Sequence, residues 1–283
     1  MAKKFIVLKK EILGIKDLKG TVKSLEKISA ANLHHLKITT ERMKEYEKAL
    51  KNILFDILEE KPHNLLFRKP KTKRKLNVIL SIEKGLAGSL LNKLLDFFEI
   101  NLNKKEDEVL VVGERGKRLL KERGIKVDYF FSGQKEIPRE KDIRKIKDYI
   151  ISQFLIGKYR EVLIFFPNFK SFGIQQPSIF SFLPIDRGKL LKTEEFFRLP
   201  LGYLIYEPLK GEIIDYLIKE YLGMIFYQKI LETKLSELSA RTIFMEEASE
   251  KADNLIKNLF HQYFKLKREI VTKEITDLYS HRL

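Results

Sequence analysis

The 283-residue chain contains no cysteine, which excludes disulfides, thiolate metal sites and a nucleophilic thiol together. A reducing cytoplasm is the compartment expected of such a chain. Long hydrophobic runs are missing as well. Stretches such as Val162 to Phe166 have strand length, far below the roughly 20 residues a membrane helix needs. The apolar run Phe5 to Leu8, near a lysine-bearing N-terminus, is too short for a signal-peptide core, so secretion is not implied. Proline is confined to the middle, with none of the 8 before Pro62 or after Pro208.

What is present is a globular composition. Hydrophobic residues make up 44% and aromatics 11%, enough for a real core, so disorder is excluded. The formal charge of +16 points to an acidic partner, whether nucleic acid, an anionic membrane face or a protein. Its distribution narrows the reading. Residues 209–283 hold 12 Lys+Arg against 12 Asp+Glu and residues 1–60 hold 13 against 9, so the basicity lies in the middle and not along a helical recognition stripe.

From Ile15 the apolar positions step by three and four through Leu18, Val22, Leu25, Ser29, Asn32, Leu36, Thr39, Met43, Tyr46, Leu50, Ile53 and Ile57, a heptad seam. One helix of roughly 50 residues, about 75 Å at 1.5 Å per residue, is the economical reading. The C-terminal segment matches it. Leu231, Leu235, Leu238, Thr242, Met245, Ser249, Ala252, Ile256, Leu259, Tyr263, Leu266 and Ile270 predict a second helix of roughly 70 residues. Both helices join the same middle segment, so seams that pair within the chain must run antiparallel. Polar residues at Ser29, Asn32, Thr39, Thr242 and Ser249, and Gly20 within the first helix, weaken the pair and leave parts of it needing an external partner.

Between the helices the period changes. Runs at Asn77 to Ile82, Glu108 to Gly113, Lys126 to Phe131 and Glu161 to Pro167 alternate with helical stretches at Ser89 to Ile100, Lys117 to Arg123 and Arg139 to Leu155, predicting a mostly parallel sheet. The expected fold class is α/β: a long antiparallel coiled coil of N- and C-terminal helices with an inserted Rossmann-like α/β domain. The division expected is a helix over 1–60, a basic linker over 61–75, the α/β domain over 76–208 and a helix over 209–283. Arg68 to Lys75 places six basic residues in eight around Pro70, with Pro62 upstream.

Motifs for catalysis are weak. Gly85-Leu86-Ala87-Gly88 sits where phosphate loops live, but lacks both the G-x-G-x-x-G order and a G-K-[ST] ending, so a tight strand-to-helix turn is the simpler reading. His34, His35, His63, His261 and His281 have no metal-ligand spacing, and the acid pairs Glu59/Glu60 and Glu246/Glu247 read as solvated helix faces. No serine occupies a G-x-S-x-G elbow. No catalytic residue, cofactor site or metal site is therefore expected. A nucleic-acid-associated coiled-coil protein is the rival reading on charge, although no RNP-like motif, zinc finger or helix-turn-helix is present.

The string Ser236-Glu237-Leu238-Ser239-Ala240-Arg241-Thr242-Ile243-Phe244-Met245-Glu246-Glu247-Ala248-Ser249 resembles the S-E-x-x-A-R-x-x-A-M-x-x-A-[ST] signature in the C-terminal helix of the F-type ATP synthase gamma subunit family. Arg268 to Asp277 resembles that family's R-Q-x-x-I-T-x-E-L-x-E terminus. Glu207-Pro208 after Tyr203 to Tyr206, Gln176-Pro177 with Leu183-Pro184, Gly113-Glu114-Arg115-Gly116, Glu83 to Gly88 and Val22 to Ala30 resemble further family blocks in the family's order. The likeness spans about residues 11–280. Departures include Leu25 where the family has Met, Lys267-Arg268 for its Arg-Gln, Gly88-Ser89 for its Gly-Gly, and Leu91 near the place of its Asn.

The resemblance implies a non-catalytic central rotor stalk. It implies partners in three alpha and three beta subunits, the epsilon subunit and the c-subunit ring, no nucleic acid, and a peripheral place on the cytoplasmic face of the cell membrane. Residues matching the motifs are expected to contact the beta subunits: Lys23, Leu25, Arg241, Met245, Thr272 and Glu274. Lys23 and Arg241 are expected to meet acidic loops, and Leu25 and Met245 to supply apolar sliding surface or internal seam packing. A paralogue without a rotary role is the alternative within the family.

Overall fold

The computed structural model describes residues 2–58, 64–83, 85–103, 105–132, 135–190, 207 and 209–280. Glu59, Glu60, Pro62, His63, Lys84, Pro208, His281 and the expected strand Tyr203 to Tyr206 lie outside the described residues. Two proline-free helices dominate, α1 (Ala2–Ile57) and α6 (Lys210–Ser280), of 56 and 71 residues. Neither carries a window apolar enough to cross a membrane.

Burial follows the expected seam closely on α6, where all twelve predicted positions are buried or half-buried. On α1 nine of the thirteen predicted positions are buried or half-buried and four are exposed. The inward row runs Leu8, Ile12, Ile15, Lys19, Val22, Glu26, Ser29, Leu33, Leu36, Thr40, Met43, Glu47, Leu50, Leu54 and Ile57. The intervals are four then three, as on α6. The expected Leu18, Leu25, Tyr46 and Ile53 stand one residue short of that row and are 65%, 36%, 44% and 44% exposed.

Contacts divide the chain into two units, Met1–Ala31 with Arg241–Leu283, and Asn32–Ala240. In the first, Leu8 and Ile12 pack with Leu259 and Leu266, flanked by Ile15 and Ile270. Phe5 stacks on Tyr263 at 4.6 Å between centroids, and Lys16 Nζ lies 5.1 Å from the Phe260 ring. Lys19 Nζ then reaches Asp253 Oδ1 at 2.5 Å. Partners descend along α6 as positions rise along α1, so the pairing is antiparallel.

The second unit is a layered α/β structure. Its elements are β1 (Lys75–Leu80), α2 (Leu90–Asn101), β2 (Glu108–Val112), α3 (Glu114–Glu122), β3 (Tyr129–Phe131), α4 (Glu140–Leu155), β4 (Glu161–Ser171), β5 (Ile174–Leu183) and the short α5 (Arg187–Leu190). Strand order is β3-β2-β1-β4-β5, parallel except for the antiparallel β4–β5 pair. β1, at the centre, is buried from Leu76 to Leu80 because helices cover both faces. Leu76, Val78 and Leu80 face Ile146 and Ile150 of α4, Leu50 and Leu54 of α1, and Leu222 and Phe226 of α6. On the opposite face Ile79, Val109 and Val111 meet Leu91, Leu94, Leu95 and Phe98 of α2 and Leu120 of α3.

Strand β5 departs from the pattern of the residues alone. Gln175, Gln176, Pro177 and Ser178 give it little β-propensity, and Pro177 stands opposite Pro167 of β4. Neither proline can donate to the ladder, a pairing tolerated at a sheet edge.

A polar knot fastens the starts of three strands. The Tyr159 hydroxyl donates to Glu108 Oε2 at 2.6 Å, and Lys158 Nζ reaches the same oxygen at 2.9 Å and the Tyr129 hydroxyl at 2.6 Å. Burial alone would raise the Glu108 pKa, but the hydrogen bonds from Tyr159, Lys158 and Tyr129 outweigh it and hold the carboxyl below its ordinary value. Burial, reinforced by the Glu108 acceptor, pushes the Tyr159 phenol up and keeps it protonated.

Candidate functional site

The loop after β1 is the place where an α/β sheet of this order would receive a phosphate. Here it is filled from within. The Glu83 carboxylate accepts from the backbone N–H of Glu114 at 3.0 Å, so the N-terminus of α3 already holds an anion. Ser81 Oγ donates to the carbonyl of Val112 at 3.0 Å, and a Cβ added at Gly116 would stand 2.2 Å from Ser81 Oγ. Gly113, at φ +115°, turns the chain into α3 at the same point. Arg115 lies across Gly85, its Nη1 2.9 Å from where a Cβ would be. Among the described residues, the Gly85–Gly88 segment and the Gly113–Gly116 turn therefore interlock as structure.

The three described histidines do not converge. His34 and His35 on α1 and His261 on α6 are all exposed. Glu246 and Glu247 are exposed side by side on α6, as a solvated face requires.

The basic segment before β1 is partly neutralised. Lys69 and Lys75 reach the two oxygens of Glu161 at 2.8 and 3.2 Å, and Arg74 approaches Glu108 at 3.8 Å. Hydrogen bonding from Lys69, chiefly, holds the Glu161 carboxyl below its ordinary pKa. These pairs tie the segment to the first residues of β2 and β4.

The six residues expected to contact partners fall into two groups. Lys23, Thr272 and Glu274 are exposed and Leu25 is 36% exposed, so all four are open on the helix surfaces of the first unit. Arg241 and Met245 are buried, at 5% and 2%. Met245 belongs to the inward row of α6, and Arg241, four residues earlier, shares its side of the helix. The first unit also exposes Leu18, Ile28, Leu255, Phe264, Val271 and Ile275, between 43% and 65% each.

The signature on α6 contains residues that motif reading passed over. Ser236, Glu237 and Ser239 are 0%, 2% and 0% exposed. Ser236 Oγ donates to the Pro167 carbonyl at 2.8 Å, and Ser239 Oγ donates to the carbonyl of Phe172. Glu237 pairs with Lys234 at 2.9 Å, both side chains almost wholly out of solvent. Their signal in the sequence was the cluster of small and charged residues on a helix face flanked by Leu235 and Leu238. Polar atoms placed on a buried face need partners inside the protein.

A family model described as ATP synthase matches residues 5–280. An ATP synthase gamma chain from Bdellovibrio bacteriovorus is 30% identical over 286 residues, covering 96% of each chain. One from Halothermothrix orenii is 28% identical over 276 residues, covering 96% of this chain and 95% of the relative. Among solved structures, a chain of the Euglena gracilis mitochondrial ATP synthase rotor shares the fold at a TM-score of 0.67 and 14% identity, covering 96% of this chain and all of that one.

Proposed function

This chain belongs to the ATP synthase gamma chain family, and we propose from that premise that it is the central rotor shaft of an F-type ATP synthase. It carries no catalytic site of its own. It couples ion-driven rotation of a c-subunit ring to ATP synthesis on beta subunits. Its partners are three alpha and three beta subunits, the epsilon subunit and the c ring. It stands peripheral to the membrane through that complex, on the cytoplasmic face of the cell membrane.

The observation that carries the reading is the antiparallel pairing of α1 with α6, residue by residue from Phe5–Tyr263 to Lys19–Asp253, with apolar side chains left on the outer surfaces. A shaft with one asymmetric surface inside a pseudo-threefold ring touches each beta subunit differently. Three otherwise equivalent nucleotide sites are thereby biased to different affinities. Turning the shaft moves each site through binding, synthesis and release. Because coupling free energies are reciprocal, hydrolysis at those sites drives the shaft in reverse.

Lys23, Leu25, Thr272 and Glu274 form the outward contacts with beta subunits in this reading. Arg241 and Met245 contribute through the packing of α6. In this reading the shaft is drawn from residues 1–60 and 209–283, the linker from 61–75 and the α/β foot from 76–208. Reconstitution tests the proposal: alpha and beta subunits without a shaft should gain cooperative ATP hydrolysis when this chain is added. Failure to gain it, with both subunits folded and nucleotide-competent, would refute the proposal.

A further inference from the structure

We propose that Ser236, Ser239 and Gln175 form a latch that fixes the β4–β5 hairpin to α6 and sets the torsional stiffness between foot and shaft; the inference rests on the rotor reading. The parallel register of β1 with β4 ends at Ile79–Phe165, so the carbonyl of Pro167, two residues further on, lies past the last rung of β1. Opposite it on β5 is Pro177, which has no N–H to offer. Ser236 Oγ takes this carbonyl at 2.8 Å, in a buried contact.

A second point of attachment lies at the tip of the hairpin. Ser239 Oγ donates to the carbonyl of Phe172, and Gln175 Nε2 donates to that carbonyl at 2.7 Å and to Ser239 Oγ at 3.3 Å. The same amide reaches the Ser171 carbonyl at 3.3 Å, closing the turn on itself. Ser236 and Ser239, three residues apart, present their hydroxyls from one side of the helix. One hairpin is thus held to one helix at two points along its length, which resists rotation about either.

Apolar packing alone would not do this. Leu231, Leu235 and Leu238 meet Phe169 in the same region, but hydrophobic attraction is non-directional and allows sliding. Hydroxyl-to-carbonyl bonds weaken steeply with angle and so oppose twist. In a rotor, load passing between the α/β foot and α6 is shared between this junction and the apolar contacts of Leu222 and Phe226. The two serines and the glutamine are positioning residues: they set how the load is passed and touch no nucleotide.

The test uses the assembled complex. Because the chain has no cysteine, Ile100→Cys, at a site 84% exposed, gives a single labelling point on the foot. A bead attached there reports thermal angular fluctuation while the shaft is held in an alpha–beta ring stalled by inhibitor. Ser236→Ala with Ser239→Ala should broaden the angular distribution, leave unloaded ATP hydrolysis at the parent rate, and speed amide exchange over residues 168–175 by about 30-fold, the opening expected from loss of two hydrogen bonds. Val78→Ala, adjusted by temperature to the same loss of stability, should leave the distribution at parental width. An unchanged distribution in the serine variant, or equal broadening in Val78→Ala, overturns the latch. If the parent chain does not assemble, the rotor reading itself falls, and amide exchange in the isolated chain still reads the latch.

Discussion

Lys19 Nζ sits between both carboxylate oxygens of Asp253, at 2.5 and 2.6 Å, at a position where a coiled-coil seam ordinarily carries an apolar side chain. Its side chain is 28% exposed and that of Asp253 47%, so water screens the pair. Removing either partner should cost the isolated chain less than about 1 kcal/mol, and a double-mutant cycle between Lys19→Ala and Asp253→Ala should give coupling that shrinks with salt. Coupling of several kcal/mol that resists salt would mean that the pair is effectively buried.

The register of α1 yields a sharper contrast. Leu36 is fully buried against Leu231, Leu235 and Leu238, whereas Leu18 is 65% exposed. Leu36→Ala should destabilise the chain by about 2–5 kcal/mol in urea titrations, and Leu18→Ala by less than about 0.5 kcal/mol. In the assembled complex Leu18→Ala should weaken association with the ring. Equal losses in the isolated chain would place the seam on the other row.

Acid stability should depend on Glu108. Its folded pKa is lowered, so its contribution is fully present above the unfolded value of about 4.3 and is lost as pH falls toward and through the folded one. Glu108→Gln should therefore cost stability at neutral pH and flatten the fall of melting temperature below that unfolded value. A parallel acid profile in parent and variant would contradict the role given to Tyr159 and Lys158.

Gly116 is tied to Ser81 by space rather than by backbone strain. A methyl group there meets Ser81 Oγ at 2.2 Å and Cβ at 2.4 Å. Gly116→Ala should cost about 1–3 kcal/mol through overpacking, and Ser81→Gly in the same chain should recover a substantial part by vacating the space. No recovery in thermal melts would show that α3 is displaced by some other contact.

Much of the molecule is legible in its residues, for identifiable reasons. The seam of α6 is visible because its inward row is mostly apolar or small, from Leu231 to Ile270. The row of α1 misleads because Leu18, Leu25, Tyr46 and Ile53 are apolar, while the true inward positions Lys19 and Glu47 are charged and find partners across the helix pair. Glu47 accepts from Gln228 Nε2 at 2.9 Å, as Lys19 donates to Asp253. Apolarity alone cannot reveal a polar seam position whose partner lies some 180 residues away in sequence.

The parallel strands are legible because both faces are covered, giving runs such as Asn77 to Ile82. The hairpin strand β5 shows only through its family resemblance, since an edge strand with Pro177 among Gln175, Gln176 and Ser178 has no periodic signal. Among the candidate contact residues, helical phase distinguishes exposed Lys23 from buried Met245. The inward turn of Ser236 and Ser239 depends on a hairpin more than sixty residues upstream, which no local pattern encodes.

The most direct measurement is co-purification of the tagged chain from its native host under gentle extraction, with native mass of the intact assembly. A rotor shaft predicts one copy of this chain with three alpha and three beta ATP synthase subunits. Recovery of the chain with nucleic acid or unrelated proteins, and without those subunits, would contradict it.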